Sequence, residues 1–247
     1  MGKGELLVVI PAYNEEANVG RVIGRVRACL PQADVLVIND GSRDGTARVA
    51  AQAGAKVVNH TYNMGYGAAL QTGYKYGRDN GYRRLAQIDA DGQHDPIYIL
   101  EMLNLIEGGE ADIVIGSRFL MENGYRAPLV KRVGMVLFGT VASWVTGQKV
   151  SDPTSGYQTM NRKAFCFCAG DVYPSDFADA DVLIMFHRAG FRVREVAVRM
   201  YPSANKRSRY LNMYSFLTPV YYIFKMSLAV FVSLLRERGA AEKVNDV

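Results

Sequence analysis

Two carboxylates follow an apolar run near the middle of the chain, in the stretch LAQIDADGQHDP. Residues 85–88 predict a buried strand, and Asp89 and Asp91 come directly after it. Side chains two positions apart in a strand point to the same face, so the two negative charges are expected side by side. Because like charges repel at short range, a cation should lie between them. Asp89, Asp91 and the amide of Gln93 are oxygen ligands of the kind that Mg²⁺ or Mn²⁺ takes together with substrate phosphates.

Two further polar clusters follow predicted strands. PAYNEE offers the ring of Tyr13 for stacking on a base and the carboxylate of Glu15 for the hydroxyls of a ribose. NDGSRDGT places Asp40 where a carboxylate can accept the imide N–H of uracil or guanine. Each cluster alone also fits an ordinary strand-to-helix turn with capping residues.

Apolar runs and amphipathic segments alternate along the first half of the chain. The runs predict strands at 6–10, 35–38, 56–59, 85–88 and 112–115. This order predicts an α/β fold with a mostly parallel sheet flanked by helices. In such sheets ligands bind beyond the carboxyl ends of the strands, and all three polar clusters are expected there. In the second half of the chain, the sequence predicts helix and loop over 117–165, a helix over 182–189 and a strand over 191–198.

The C-terminal part of the chain differs in composition from the rest. We assign residues 1–212 to one domain and residues 213–247 to an apolar helical tail. Pro219 interrupts the tail, and the apolar piece after it is shorter than the ~20 residues that a membrane span needs. Lys225 and the flanking basic residues favour a helix lying in the membrane interface. Packing of the tail on the domain or in a dimer is the alternative.

Composition excludes few classes of function. The chain has 247 residues, of which 49% are hydrophobic and 21% charged, and a net charge of +5. The charge suits an anionic partner, but no nucleic-acid-binding motif accompanies it. Gly65 and Gly67 lack the third glycine of a dinucleotide fingerprint, since Leu70 stands there, which disfavours an NAD site.

Six motifs occur in a fixed order along the chain: PAYNE, NDGSRDGT, NMGYGAALQTG, IDADGQHDP, GSRF and DPTSGYQTM. Together they resemble the family 2 glycosyltransferases of the GT-A fold. The likeness extends to the polyprenyl-phosphate branch of that family, which includes dolichol-phosphate mannose synthase. It covers roughly residues 5–210.

The resemblance implies a metal-dependent, inverting transfer of a sugar from a UDP- or GDP-linked donor to a polyprenyl phosphate. It assigns nucleoside binding to Pro11, Tyr13, Glu15 and Asp40. It assigns the metal, Mg²⁺ or Mn²⁺, and the diphosphate to Asp89, Asp91 and Gln93. The GSR motif, Gly116 to Arg118, is expected on the acceptor side, and the D-x-x-SG motif lies at Asp152, Ser155 and Gly156.

The developing charge on a departing diphosphate needs basic side chains as well as a metal. The candidates for holding an acceptor phosphate are Arg118, Arg126, Lys131 and Arg132. The candidates for closing over the diphosphate are Lys206, Arg207 and Arg209.

The acceptor decides whether a general base is needed. A lipid phosphate is already an anionic nucleophile, whereas a glycan hydroxyl requires a carboxylate base. Asp179 and Asp181 lie in the region where hydroxyl-modifying relatives place that acid. The same two residues could instead cap the helix that follows them.

Other classes of function remain as alternatives. A nucleotidyltransferase would need a glycine-rich, basic phosphate loop after the first strand, and PAYNEE is acidic. A catalytically idle nucleotide-binding scaffold would not need the set of Asp89, Asp91 and Gln93. The expected partners are a nucleotide sugar, a polyprenyl phosphate and a membrane surface, with a small membrane protein and self-association left open. The expected location is the cytoplasm, peripheral on the inner face of the cell membrane.

Overall fold

The computed structural model describes residues 4–121, 151–152, 155–170, 173–174 and 180–201, with the backbone alone at 180–181. The side chain of Asp181 is therefore not described. The following predicted residues lie outside the described ranges: Arg126, Lys131, Arg132, Asp179, Lys206, Arg207, Arg209 and the tail 213–247. Among the helices that the structure describes, none combines the length and the apolar character needed to cross a membrane.

The described residues form a seven-stranded sheet with the strand order β3-β2-β1-β4-β6-β5-β7. The strands are β1 (Leu6–Ala12), β2 (Asp34–Asn39), β3 (Lys56–Asn59), β4 (Arg84–Gln87), β5 (Ile113–Ser117), β6 (Gln158–Asn161) and β7 (Val193–Ala197). Strands β1 to β4 pair in parallel, as do β5 and β7, and β6 runs antiparallel to both β4 and β5. The mostly parallel sheet predicted from the sequence is confirmed.

Helices cover both faces of this sheet. They are α1 (Glu16–Cys29), α2 (Thr46–Gln52), α3 (Tyr66–Asp79), α4 (Tyr98–Glu107), α5 (Arg162–Cys168) and α6 (Ala180–Arg188). Side chains of α1, α2 and α4 pack with Leu6, Val8 and Ile10 on one face. Side chains of α3, α5 and α6 pack with Leu7 and Val9 on the other. The alternation along β1 thus supplies both cores, since a strand covered on two faces is apolar throughout.

Strand β6 differs from the sequence-based prediction, which assigned residues 117–165 to helix and loop. Its four residues, QTMN, are too short and too polar to show a strand pattern. The strand forms because neighbours on both sides pair with it, Gln158 lying opposite Gln87 of β4 and Ile115 of β5. An antiparallel strand begins at the edge where its parallel neighbours end. The segment before Gln158 therefore arrives at the carboxyl edge of the sheet.

Asp95 and Pro96 precede helix α4 without opening it, since the first residue of the helix is Tyr98. The Asp95 carboxylate accepts the N–H of Ile97 at 3.2 Å and closes a turn before the helix. A short polar side chain can bond the backbone two residues on, and this turn competes with an N-cap.

Helix α3 contacts β1 through a glycine. A Cβ at Gly73 would overlap Cγ1 of Val9, a fully buried residue in the middle of β1. The absent side chain lets the helix backbone approach the sheet closely. This contact helps to fix the height of α3 above the strands, and α3 begins at the carboxyl edge.

Gly73→Ala should lower the free energy of unfolding by about 1–3 kcal/mol, because overpacking a buried contact outweighs the ~1 kcal/mol that alanine gains over glycine inside a helix. Urea titration followed by circular dichroism measures the change. Gly24→Ala in α1 is the matched control, since a Cβ there has no neighbouring atom within 4 Å. That variant should be stabilised by about 0.5–1 kcal/mol. Stabilisation of both variants would contradict the close contact between α3 and β1.

Candidate functional site

The loops that follow β1 and β2 are joined by hydrogen bonds. The N–H of Asn14 donates to Ser42 Oγ at 3.0 Å, and the N–H of Arg43 donates to Asn14 Oδ1 at 2.9 Å. The N–H of Glu15 donates to Thr46 Oγ1 at 2.8 Å. Asn14 has a φ of 55°, in the left-handed region that asparagine tolerates, and its side chain does not cap α1. It instead fixes the PAYNEE loop against the NDGSRDGT loop.

The predicted nucleoside-binding residues lie along this joined edge. Pro11 is buried within β1, where it pairs with Ile38 of β2. Tyr13 is half-buried just beyond the strand. Glu15 is also half-buried, and its Oε2 accepts the side-chain N–H of Asn18 at 2.8 Å. The ring of Tyr13 and the carboxylate of Glu15 thus stand at the carboxyl edge, and their contacts with a nucleoside stay predictions.

The Asp40 carboxylate is buried and hydrogen-bonded to neighbouring residues of the chain. Its side chain is 5% exposed, and its two oxygens accept the N–H groups of Met64 at 2.9 Å and Gly65 at 3.0 Å. His60 Nδ1 lies 2.8 Å from Asp40 Oδ1, and its Nε2 lies 2.9 Å from Thr72 Oγ1 of α3. A carboxylate has roughly four acceptor positions, so these contacts leave capacity for one more hydrogen bond. The predicted contact of Asp40 with a base stays a prediction. Sequence reasoning assigned no role to His60, whose ring links Asp40, at the end of β2, to Thr72 of α3.

The turn after β4 is built on a buried histidine. Strand β4 ends at Gln87, and the N–H of Asp89 donates to His94 Nδ1 at 3.1 Å. The His94 ring stacks on Tyr157, with the ring centroids 4.8 Å apart. Burial lowers the pKa of His94, although the Asp89 carboxylate acts in the opposite direction. Because Nδ1 accepts an N–H, the neutral ring carries its proton on Nε2.

Asp89 and Asp91 are presented by this turn rather than by a strand. Asp91 Oδ1 accepts the N–H of Gln93 at 3.0 Å, which closes the turn. The carbonyl of Gln93 accepts the N–H of Tyr201 at 2.9 Å. The prediction that strand alternation places Asp89 and Asp91 on one face was therefore wrong, since the strand ends two residues before Asp89.

Two distant segments meet Asp89. The hydroxyl of Tyr66, the first residue of α3, donates to Asp89 Oδ1 at 2.9 Å. A Cβ at Gly156 would overlap the Tyr66 hydroxyl oxygen and lie 3.5 Å from Asp89 Oδ1. Gln87 Nε2 donates to the carbonyl of Gly156 at 3.0 Å and holds this segment beside β4. Sequence reasoning assigned no role to Tyr66, although an aromatic residue between Gly65 and Gly67 at a helix start was a usable signal.

The GSR and D-x-x-SG motifs bind each other on the far side of β4. Arg118 Nε and Nη2 donate to the two oxygens of Asp152, at 2.7 and 2.8 Å, and the Asp152 side chain is fully buried. The N–H of Asp152 donates to Glu195 Oε1 at 2.9 Å, a partner that the sequence did not indicate. Ser155 Oγ donates to the carbonyl of Gly116 at 2.6 Å. Arg118 thus supports the loop of Asp152 through a bidentate pair, and its contact with an acceptor phosphate stays a prediction.

The residues of the turn fit a divalent cation. Asp89 and Asp91 are carboxylates within reach of solvent, the Asp89 side chain being 33% exposed and Asp91 half-buried. Within the described ranges, no group of three or more His, Cys, Asp or Glu residues is placed to hold a metal ion. Mg²⁺ is commonly held by one or two carboxylates together with substrate phosphates and water, and two carboxylates match that pattern.

Comparison with known proteins assigns the chain to a family. Residues 7–166, more than half of the chain, match the family described as glycosyl transferase family 2. Polyprenol monophosphomannose synthase of Mycolicibacterium smegmatis is 35% identical over 164 residues, which cover 64% of this chain and 62% of that protein. Undecaprenyl-phosphate mannosyltransferase of Micrococcus luteus is 34% identical over 166 residues, which cover 62% of this chain and 65% of that protein. The matched part of the chain spans less than two thirds of each of these relatives.

The fold is similar to that of a solved glycosyltransferase. Glucosyl-3-phosphoglycerate synthase from Mycobacterium tuberculosis, in complex with Mn²⁺ and UDP-glucose, superposes with a TM-score of 0.66. The two chains are 20% identical, and the match covers 93% of this chain and 78% of the other. At that identity the likeness shows a shared GT-A architecture. The match over residues 7–166 shows that the chain belongs to glycosyl transferase family 2.

Proposed function

We propose that this glycosyltransferase moves a sugar from a UDP- or GDP-linked donor to a polyprenyl phosphate, with inversion at the anomeric carbon and with Mg²⁺ or Mn²⁺ bound at Asp89 and Asp91. The position of the Asp89 turn in the sheet carries the proposal. Strand β4 lies between β1 and β2, whose loops bear the predicted nucleoside ligands, and β6 and β5, whose loops bear the D-x-x-SG motif and the GSR motif that is expected on the acceptor side. A diphosphate that joins nucleoside to sugar would therefore pass over the two carboxylates.

The acceptor class is supported by the names of two relatives. The Mycolicibacterium smegmatis and Micrococcus luteus relatives are named for polyprenol and undecaprenyl-phosphate mannosyl transfer. We carry this acceptor over to the present chain as part of the proposal. A polyprenyl phosphate is a membrane lipid, so the reaction takes place at a membrane surface. Cosedimentation of the chain with vesicles that contain the lipid tests this location.

The chain's own residues bind and orient the two substrates in this reaction. The loops at Tyr13, Glu15 and Asp40 bind the nucleoside, and Asp89, Asp91 and Gln93 hold the cation. When bound, the cation neutralises charge on the departing nucleoside diphosphate. A phosphate oxygen of the acceptor attacks the anomeric carbon while the bond from that carbon to the diphosphate breaks. The attacking phosphate is already an anion, so no side chain has to remove a proton.

A transfer assay tests the proposal as a whole. The protein is incubated with polyprenyl phosphate, Mn²⁺ or Mg²⁺ and labelled UDP- or GDP-sugars, and label is then counted in the organic phase. We expect label with one class of donor, and we expect chelation by EDTA to abolish it. Label found only in water-soluble glycan would contradict the lipid acceptor. Donor binding without any turnover would favour the idle scaffold.

Asp89→Asn and Asp91→Asn should each lower the rate of metal-dependent transfer by about 100-fold or more, because each removes a charge that holds the cation opposite the diphosphate. The initial rate of label transfer measures the loss. Asp79→Asn is the matched control, since Asp79 is an exposed acid at the end of α3, paired with Arg78. Equal rates for all three variants and the unaltered protein would exclude the Asp89 turn from the site.

Asp179→Asn and Asp181→Asn should leave the rate of transfer to polyprenyl phosphate unchanged, since an anionic acceptor needs no general base. Rates with saturating lipid and donor provide the measurement. A loss of about 10²–10⁴-fold in either variant is the size expected for removal of a general base. That result would favour transfer to a glycan hydroxyl instead.

A further inference from the structure

The contact with Tyr66 gives the two oxygens of the Asp89 carboxylate different surroundings. Oδ1 accepts the Tyr66 hydroxyl at 2.9 Å. Oδ2 lies 3.8 Å from Nε2 of His94, beyond hydrogen-bond distance. Oδ1 is thus held by the chain, whereas Oδ2 accepts no hydrogen bond from the residues that the structure describes and is available to a cation.

The position of Tyr66 is fixed by the loop before it. Gly65 has a φ of 101°, a conformation that favours glycine, and it directly precedes the first residue of α3. Its N–H donates to Asp40 Oδ2, and the N–H of Met64 donates to Asp40 Oδ1. Asp40 is in turn held by His60. A buried carboxylate at the end of β2 therefore anchors the loop that aims Tyr66 at the end of β4.

A second contact limits where the Tyr66 hydroxyl can lie. Gly156 faces it so closely that even a methyl group would overlap the oxygen. The carbonyl of Gly156 is bonded to Gln87, so the backbone at this point is itself held beside β4. The hydroxyl is confined between Asp89 and the segment that precedes β6.

We propose that Tyr66 is a positioning residue, whose hydroxyl orients the Asp89 carboxylate so that Oδ2 binds the divalent cation. The inference rests on the proposed function, since the cation is the one that accompanies the donor diphosphate. Groups that hydrogen-bond to a metal-binding carboxylate commonly contribute 10–100-fold to metal affinity. Without the hydroxyl the carboxylate rotates more freely, and cation binding has to restrict that rotation.

Tyr66→Phe tests this inference through the affinity for Mn²⁺. The electron paramagnetic resonance signal of free Mn²⁺ is titrated against the protein in the presence of UDP or GDP, without acceptor. We expect the dissociation constant for Mn²⁺ to rise about tenfold or more in the variant. We also expect saturating Mn²⁺ to restore most of the transfer rate of Tyr66→Phe, whereas Asp89→Asn should not recover.

Tyr62→Phe is the matched control, because it removes a hydroxyl from a ring in the same loop that is 67% exposed. Its affinity for Mn²⁺ should equal that of the unaltered protein. Gly156→Ala keeps the Tyr66 hydroxyl but displaces it, and it should weaken Mn²⁺ binding as well. If Tyr66→Phe fails to fold, as judged by its thermal melting curve, the Mn²⁺ affinity of Gly156→Ala tests the role of Tyr66 instead.

The outcomes separate the inference from the function on which it rests. Unaltered Mn²⁺ affinity in Tyr66→Phe, in a protein that otherwise binds Mn²⁺, would overturn the role of Tyr66 alone. Absence of Mn²⁺ binding by the unaltered protein with either nucleotide would overturn the metal-dependent function, and the inference with it.

Discussion

The antiparallel pairing of β6 with β4 and β5 decides which residues stand beside Asp89. Because Gln158 lies opposite Gln87, the chain enters β6 at the edge where β4 ends. Gly156 is thereby placed against Tyr66. A Cβ at Gly156 would lie 3.5 Å from Oδ1 of Asp89. A parallel strand in this position would deliver its preceding segment to the opposite edge. The site consequently depends on the direction of one four-residue strand.

Buried charges on both sides of β4 are paired by the chain and hold the site loops in place. Asp40 on one side is satisfied by His60 and by two backbone N–H groups. Asp152 on the other side is satisfied by the guanidinium of Arg118. An unpaired buried charge is costly, so each pair strongly favours a single loop arrangement. The Asp89 turn lies between these two fixed regions and is itself partly exposed, as the proposed cation site requires.

Local patterns in the sequence predicted the parts of the site that follow apolar runs. The strands β1 to β5 and the placement of Asp40 and Asp89 at their carboxyl ends could be inferred from hydrophobic runs and from the geometry of parallel sheets. Strand β6 could not, because its stability comes from two neighbours distant in sequence. The roles of Tyr66 and Glu195 were missed for the same reason, since each is defined by a partner on another element.

We propose above all that a divalent cation joins the Asp89 turn to the diphosphate of the donor. Isothermal titration of UDP and GDP into the protein, with Mn²⁺ and then with EDTA, tests it most directly. We predict that one nucleotide binds more tightly with Mn²⁺, and that Asp89→Asn removes this difference while keeping the metal-independent affinity. Equal affinity with and without the cation in the unaltered protein would contradict the claim.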